Sequence, residues 1–160
     1  MAWNAYDPMG VSISTVDSAQ VFPLGTIAKA RNTSTGYVGE FVYMKGVASC
    51  ATGLWTLLNY DNGTVSLLAD GDIGGVGVSM GAIVASTFGW FQIQGKGTGM
   101  LAASIGDNAG LYISAAGVAI ATASGKSEIQ GARAAAASGS SAANTEVELH
   151  YPQVGLSAGA

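Results

Sequence analysis

The chain has 160 residues, the size of one domain, with a net charge of -4 and only 10% charged side chains. Its six basic residues, Lys29, Arg31, Lys45, Lys96, Lys126 and Arg133, are scattered, which excludes the clustered cations that a nucleic-acid backbone needs. A single cysteine, Cys50, excludes an intrachain disulfide framework.

In chain order, residues 1–23 show little alternation but carry Trp3, Tyr6, Pro8, Phe22 and Pro23, and read as an extended N-terminal arm that packs against something. The opening MAWNAYDPMG has neither a basic nor an apolar region, so no signal peptide is expected there. Residues 24–30 (LGTIAKA) and 40–47 (EFVYMKGV) read as strands. The second has Phe41 and Tyr43 on one face and Val42 and Met44 on the other. Residues 56–60 and 64–69 face each other across Asp61-Asn62-Gly63, a strong hairpin signal because Asn-Gly accepts the positive φ angles of tight turns.

Residues 73–95 carry no charge and are long enough to span a bilayer. Six glycines and two glutamines interrupt the run, so it reads instead as short strands at 75–80, 82–86 and 90–94. Residues 111–114 and 118–122 form a further hairpin around Ala115-Ala116-Gly117. A strand over 129–135 leads into a small-residue loop. Residues 145–151 (TEVELHY) then alternate, with Val147, Leu149 and Tyr151 inward and Glu146, Glu148 and His150 outward. The tail, 153–160, reads as flexible. The expected fold is therefore all-β: a compact β-barrel or β-sandwich of short strands over 24–152, with the arm before it.

Motifs for chemistry are sparse. His150 shares a strand face with Glu146 and Glu148, a pattern that reads as a solvated outer face rather than a metal site. Cys50 has no basic neighbour to make a thiolate. Asp70-Gly71-Asp72 begins like a calcium loop, but its twelfth position is Gly81 rather than glutamate. Gly125-Lys126-Ser127 lacks the upstream glycine of a phosphate loop. No catalytic, cofactor-binding or metal-ligating set emerges, and no enzyme is expected. A surface so poor in charge tends to associate, so much of it is expected to be covered by other subunits.

The aromatics carry more. Trp3, Trp55 and Trp90 are rigid anchors of the kind that dominate interfaces. In FGWFQIQG (88–95), Phe91 and Ile93 fall on one face, the expected core. Trp90, Gln92 and Gln94 fall on the other, an expected contact face. The candidate interface is thus Trp3, Tyr6, Pro8, Phe22, Trp55, Trp90, Gln92 and Gln94.

That stretch also carries a resemblance. Phe88-Gly89-Trp90-Phe91-Gln92-Ile93-Gln94-Gly95 is followed by residues 100–105 and the 111–122 hairpin. Then come Ile129-Gln130-Gly131-Ala132-Arg133-Ala134 and a final Glu146-Val147-Glu148-Leu149. Over residues 24–151 this order resembles the head decoration, or cement, proteins of tailed bacteriophages. The resemblance implies a trimeric β-protein on the outer capsid surface of the virion, made in the host cytoplasm. It would clamp major capsid protein subunits after head expansion, with an arm reaching onto the capsid or a neighbouring copy. The rival expectation is a carbohydrate-binding β-module of a virion or surface adhesin, using exposed Trp and Tyr beside Asp, Asn or Gln.

Overall fold

The computed structural model describes residues 11–121 and 124–155. Ten strands, and no helix among the described residues, run in the order β1 (Ile27–Arg31), β2 (Val38–Lys45), β3 (Trp55–Asn59), β4 (Thr64–Leu67), β5 (Gly74–Ser79), β6 (Phe88–Leu101), β7 (Gly110–Ala115), β8 (Val118–Ile120), β9 (Ser127–Ala134) and β10 (Ala143–Val154). The all-β expectation holds.

The pairings close two rings that share the long strand β6. In the first, β2 pairs β6, β6 pairs β5, β5 pairs β3 and β3 pairs β4. The parallel bridge Lys45↔Thr64 returns β4 to β2. In the second, β6 pairs β10, β10 pairs β9, β9 pairs β7 and β7 pairs β8. The parallel bridge Leu101↔Ala119 returns β8 to β6. Each strand of the first ring has its counterpart four strands later, with the same partner and the same direction.

The loops repeat as well, 55 positions on. Gly53 N–H donates to Ser79 O at 2.9 Å, and Asn108 N–H to Ala134 O at 3.1 Å. Ser79 N–H reaches Leu54 O, and Ala134 N–H reaches Ala109 O, both at 3.0 Å. Ser49 and Ser104 both turn the chain with left-handed backbone, φ 64° and 62°. The protein is two interlocked copies of one five-stranded barrel.

Alternation fills each barrel. Val42, Met44, Leu58, Val65, Phe91 and Ile93 form the first core, with Cys50 and Ile83. Leu101, Leu111, Ile113, Ala119, Ile129, Val147 and Leu149 belong to the second. Trp55, Val76 and Val78, from the opposite face of β3 and β5, join the second core and so bind the two barrels together.

A third cluster covers the outer side of the first barrel. Tyr43 and Trp90 lie beneath Ile13, Phe22 and Leu24, beside Ala28 and Ala30 of β1. Asp17 pairs with Phe88. Of the arm expected over 1–23, residues 11–23 therefore pack back on the chain's own sheet; residues 1–10 lie outside the described residues.

Three local expectations need correction. Residues 82–86 form no strand, because their backbone bonds go to tight turns: Ile83 N–H to Gly81 O, Val84 N–H to Ala82 O, and left-handed Ser86 at φ 64°. Ile83 instead turns inward and is 1% exposed. Tyr151 points outward, not inward, because β10 slips register between Leu149 and Gln153 and Tyr151 takes a left-handed φ of 48°. The expected tail starts inside a strand, since Gln153 and Val154 pair with Gly75 and Gly74 of β5. Residues 156–160 lie outside the described residues.

Candidate functional site

The expected contact face is not on the surface. Trp90, Gln92 and Trp55 are at most 1% exposed. Trp90 is covered by Phe22 at 5.5 Å and meets Tyr43 at 5.1 Å, between ring centroids. Trp55 sits between the barrels, its indole N–H donating to Met100 O at 3.0 Å. Both faces of β6 are buried here because the chain lays its own N-terminal segment on the second one. Phe22 is half-buried as part of that cover, and Gln94 is half-buried at the edge of a groove. Trp3, Tyr6 and Pro8 lie outside the described residues.

Gln92 explains the glycines around it. Gly95 takes φ 97° and bends β6. The side-chain amide of Gln92 then donates to Gln94 O at 3.1 Å and Lys96 O at 3.3 Å. A Cβ on Gly97 would stand 2.0 Å from Gln92 Oε1, so any larger residue there would have to displace the Gln92 amide. With both amide hydrogens directed to carbonyls, Oε1 is left buried and without a hydrogen-bond partner. Gln92 is one of the residues around a hollow of about 100 Å³, with Asn32, Thr35, Tyr37 and Met80.

Tyr37 was not anticipated from sequence. It stands at the end of a short loop that its own bonds hold rigid. Asn32 Oδ1 accepts from Ser34 N–H at 2.9 Å and Thr35 N–H at 3.1 Å. Gly36 takes φ 78°, and Asn32 N–H closes the loop on Tyr37 O at 2.8 Å. The loop presents the Tyr37 ring 48% exposed, with Lys96 Nζ 5.1 Å from its centroid.

On the far side of Tyr37 and Lys96 lies a second hollow, about 450 Å³, reaching Asp107, Asn108, Arg133, Glu148 and His150. Its charges are paired. Lys96 contacts Glu146 at 2.9 Å, and that bond holds the ammonium above its usual pKa. Arg133 contacts Glu148 at 2.6 Å, and His150 lies 3.4 Å from the same carboxylate. The Arg133 bond, then that of His150, holds Glu148 below the usual carboxylate range. Thus Glu146, Glu148 and His150 do share the outer face of β10, with Glu146 on Lys96, Glu148 on Arg133 and His150 beside Glu148. No group of three or more His, Cys, Asp or Glu side chains among the described residues is placed to hold a metal ion.

A smaller apolar hollow, about 180 Å³, opens at the end of the first barrel between exposed Tyr60 and Tyr151, over Leu58, Val76 and Ile93. Tyr151 donates to Glu40, which also pairs with Lys29 at 2.9 Å. Elsewhere, two motifs singled out in the sequence meet. Asp70 accepts from Lys126 Nζ at 3.0 Å and Ser127 N–H at 2.9 Å, so the two loops clasp each other. Cys50 is buried, and burial pushes its thiol pKa up.

No protein-family model, curated protein or solved structure matches the chain.

Proposed function

We propose that the protein is a non-enzymatic virion structural protein that decorates the outer surface of an expanded tailed-phage head and stabilises it by clamping major capsid subunits. The observation that carries the reading is the state of its charges. Lys29, Lys96, Lys126 and Arg133 are each paired with a carboxylate of the same chain. Large apolar side chains are exposed on the same chain: Val21, Ile27, Val38, Tyr60, Ile73 and Tyr151 are all more than 45% exposed. Such a surface packs against other subunits without stripping water from unpaired ions. Two interlocked closed barrels suit a clamp, because closed rings leave few free strand edges for indiscriminate pairing. Repetition of modest contacts around a symmetric shell then multiplies their effect.

The test is co-sedimentation of the purified chain with expanded, undecorated heads of the encoding phage, with unexpanded heads as control. Saturable binding to expanded heads alone is expected. Absence of binding to both forms would end the decoration reading.

A further inference from the structure

We propose that Asn62 is a self-modifying site: the Gly63 backbone nitrogen attacks its side-chain amide, and the iso-aspartate that results opens the seam closing the first barrel. The inference stands apart from capsid decoration and needs no partner.

Such a reaction needs a peptide nitrogen beside the amide, a carbonyl oxygen able to take up negative charge, and an amide nitrogen able to depart. The turn between β3 and β4 supplies them. Gly63 N–H has no hydrogen-bond partner among the described residues, so no acceptor holds its proton. Asn62 Oδ1 accepts from Thr64 N–H at 3.1 Å and from the Thr64 hydroxyl at 2.6 Å. A backbone N–H can only donate, which fixes the oxygen on that side of the amide. Both donors act on the oxygen that gains charge as Cγ becomes tetrahedral. Asn62 is exposed, and its Nδ2 has no partner among the described residues, so ammonia departs into solvent.

The atoms balance with water as the only co-reactant. The bond from Gly63 N to Asn62 Cγ forms, and the bond from Cγ to Nδ2 breaks. The proton of Gly63 N–H leaves on Nδ2 as part of ammonia. Water then opens the cyclic imide at either carbonyl. One opening gives aspartate. The other gives iso-aspartate, whose main chain runs through Cβ and Cγ.

The other described asparagines lack this combination. Asn32, Asn59, Asn108 and Asn144 precede Thr33, Tyr60, Ala109 and Thr145, whose side chains crowd the attacking nitrogen. Asn144 also has its Nδ2 tied to Thr52 O at 3.2 Å. At position 63 the fold itself demands glycine. Gly63 takes φ 68°, and a Cβ there would stand 2.4 Å from Leu24 Cβ. Gly63 is buried on that account, but its attacker is the side chain of its own neighbour, so no bulky reagent has to enter.

The consequence follows from what Gly63 holds. Lys45 N–H donates to Gly63 O at 2.9 Å, and β4 returns to β2 through the single registered pair Lys45↔Thr64. Iso-aspartate adds a carbon to the main chain immediately before Gly63. That displaces Gly63 O from Lys45 and loosens the one seam that closes the ring.

The experiment holds the full chain at mildly alkaline pH, native and unfolded in urea, and follows each asparagine by peptide mass. Iso-aspartate is scored by methyl transfer from protein isoaspartyl methyltransferase. In the native chain Asn62 is expected to convert ahead of every other asparagine, within about tenfold of its rate in urea. Thr64→Val keeps the branched shape and removes the hydroxyl donor. It is expected to slow native conversion by about threefold or more and to leave the rate in urea unchanged. The purified iso-aspartyl chain should exchange its Lys45 amide proton about tenfold faster than the fresh chain. Asn62→Asp, which carries the charge without the extra carbon, should exchange as the fresh chain does. Native conversion slower than that in urea by more than about tenfold, an unslowed Thr64→Val chain, or unchanged Lys45 exchange in the iso-aspartyl chain would each overturn the inference.

Discussion

The phenol of Tyr43 donates to the carboxylate of Asp17 at 2.7 Å, and accepts from Val21 N–H at 3.3 Å. This pair fastens the N-terminal segment to β2. Burial first, then the Asp17 carboxylate, pushes the Tyr43 pKa up from 10.0 to about 12. Tyr43→Phe should cost about 1–3 kcal/mol, since it leaves a charged acceptor without its donor. Denaturant melts of the two chains check the figure. The sign of the pH effect follows from the raised value. Stability from this group is complete below pH 10 and is lost as pH rises toward about 12. The Tyr43→Phe chain should lose less stability across that window.

At low pH a second cluster governs. The Tyr151 hydroxyl, then Lys29, hold Glu40 below its usual 4.5. A depressed carboxylate contributes stability above its unfolded pKa and withdraws it as pH falls through the folded one. Glu148, held down by Arg133, and Asp70, held down by Ser127 and Lys126, act in the same direction. Thermal stability should therefore decline below pH 4.5, and Glu40→Gln should flatten part of that decline. Melting temperatures measured in half-unit steps of pH would show it, and an unchanged profile would contradict the Glu40 assignment.

Two glycines make a matched comparison. A Cβ on Gly46 would lie 1.9 Å from Ile83 O, a backbone atom that cannot move aside cheaply. Gly46→Ala should destabilise by about 2 kcal/mol or more. Gly106 has open space around its missing Cβ, and its φ is not positive. Gly106→Ala should fall within about 0.5 kcal/mol of neutral, or stabilise slightly by stiffening the unfolded chain. Equal losses for the two would refute the steric account.

The repeated left-handed serines predict in the other direction. Ser49 and Ser104 hold φ near 60°, where a side chain is strained and glycine is not. Replacing either by glycine should be neutral or stabilising by up to about 1 kcal/mol. The same change at Ser79, whose hydroxyl donates to Ala51 O at 2.6 Å in the interior, should be clearly destabilising.

Cys50 offers a probe of unfolding. It is 1% exposed with a raised pKa, so a disulfide reagent at neutral pH should label it only when the first barrel opens. Labelling should accelerate with denaturant in step with the loss of tertiary signal. Rapid labelling of the native chain would show that the barrel end at Ile83 is open.

Much of the fold was legible in the residues, and the limits of legibility have physical causes. Period-two alternation marked the start of β10, because side chains on a strand with one solvated face must choose between core and solvent; β3 and β7 were marked by the turns that follow them. The turns Asn62-Gly63 and Ala116-Gly117 stood out because few residues tolerate positive φ; Gly63, Ala116 and Gly117 adopt it. Alternation failed at β6. Trp90 and Gln92 read as an outer face, but Trp90 is roofed by Ile13 and Phe22 and Gln92 is buried as well, and no local pattern announces a roof supplied from a distant part of the chain. It failed again at Tyr151, where a register slip turns the side chain outward. The duplication left only a faint trace in Val47-Ala48-Ser49 and Ala102-Ala103-Ser104, because strand pairing conserves backbone bonds rather than side chains. The hollow beside Tyr37 was invisible for the same reason. Composition and alternation by themselves determined an all-β chain with a low-charge surface. Which faces are buried, and the meeting of Tyr37, Gln92 and Lys96 around one hollow, were decided only when distant strands paired, since burial is a property of the neighbours a residue acquires and not of the residue.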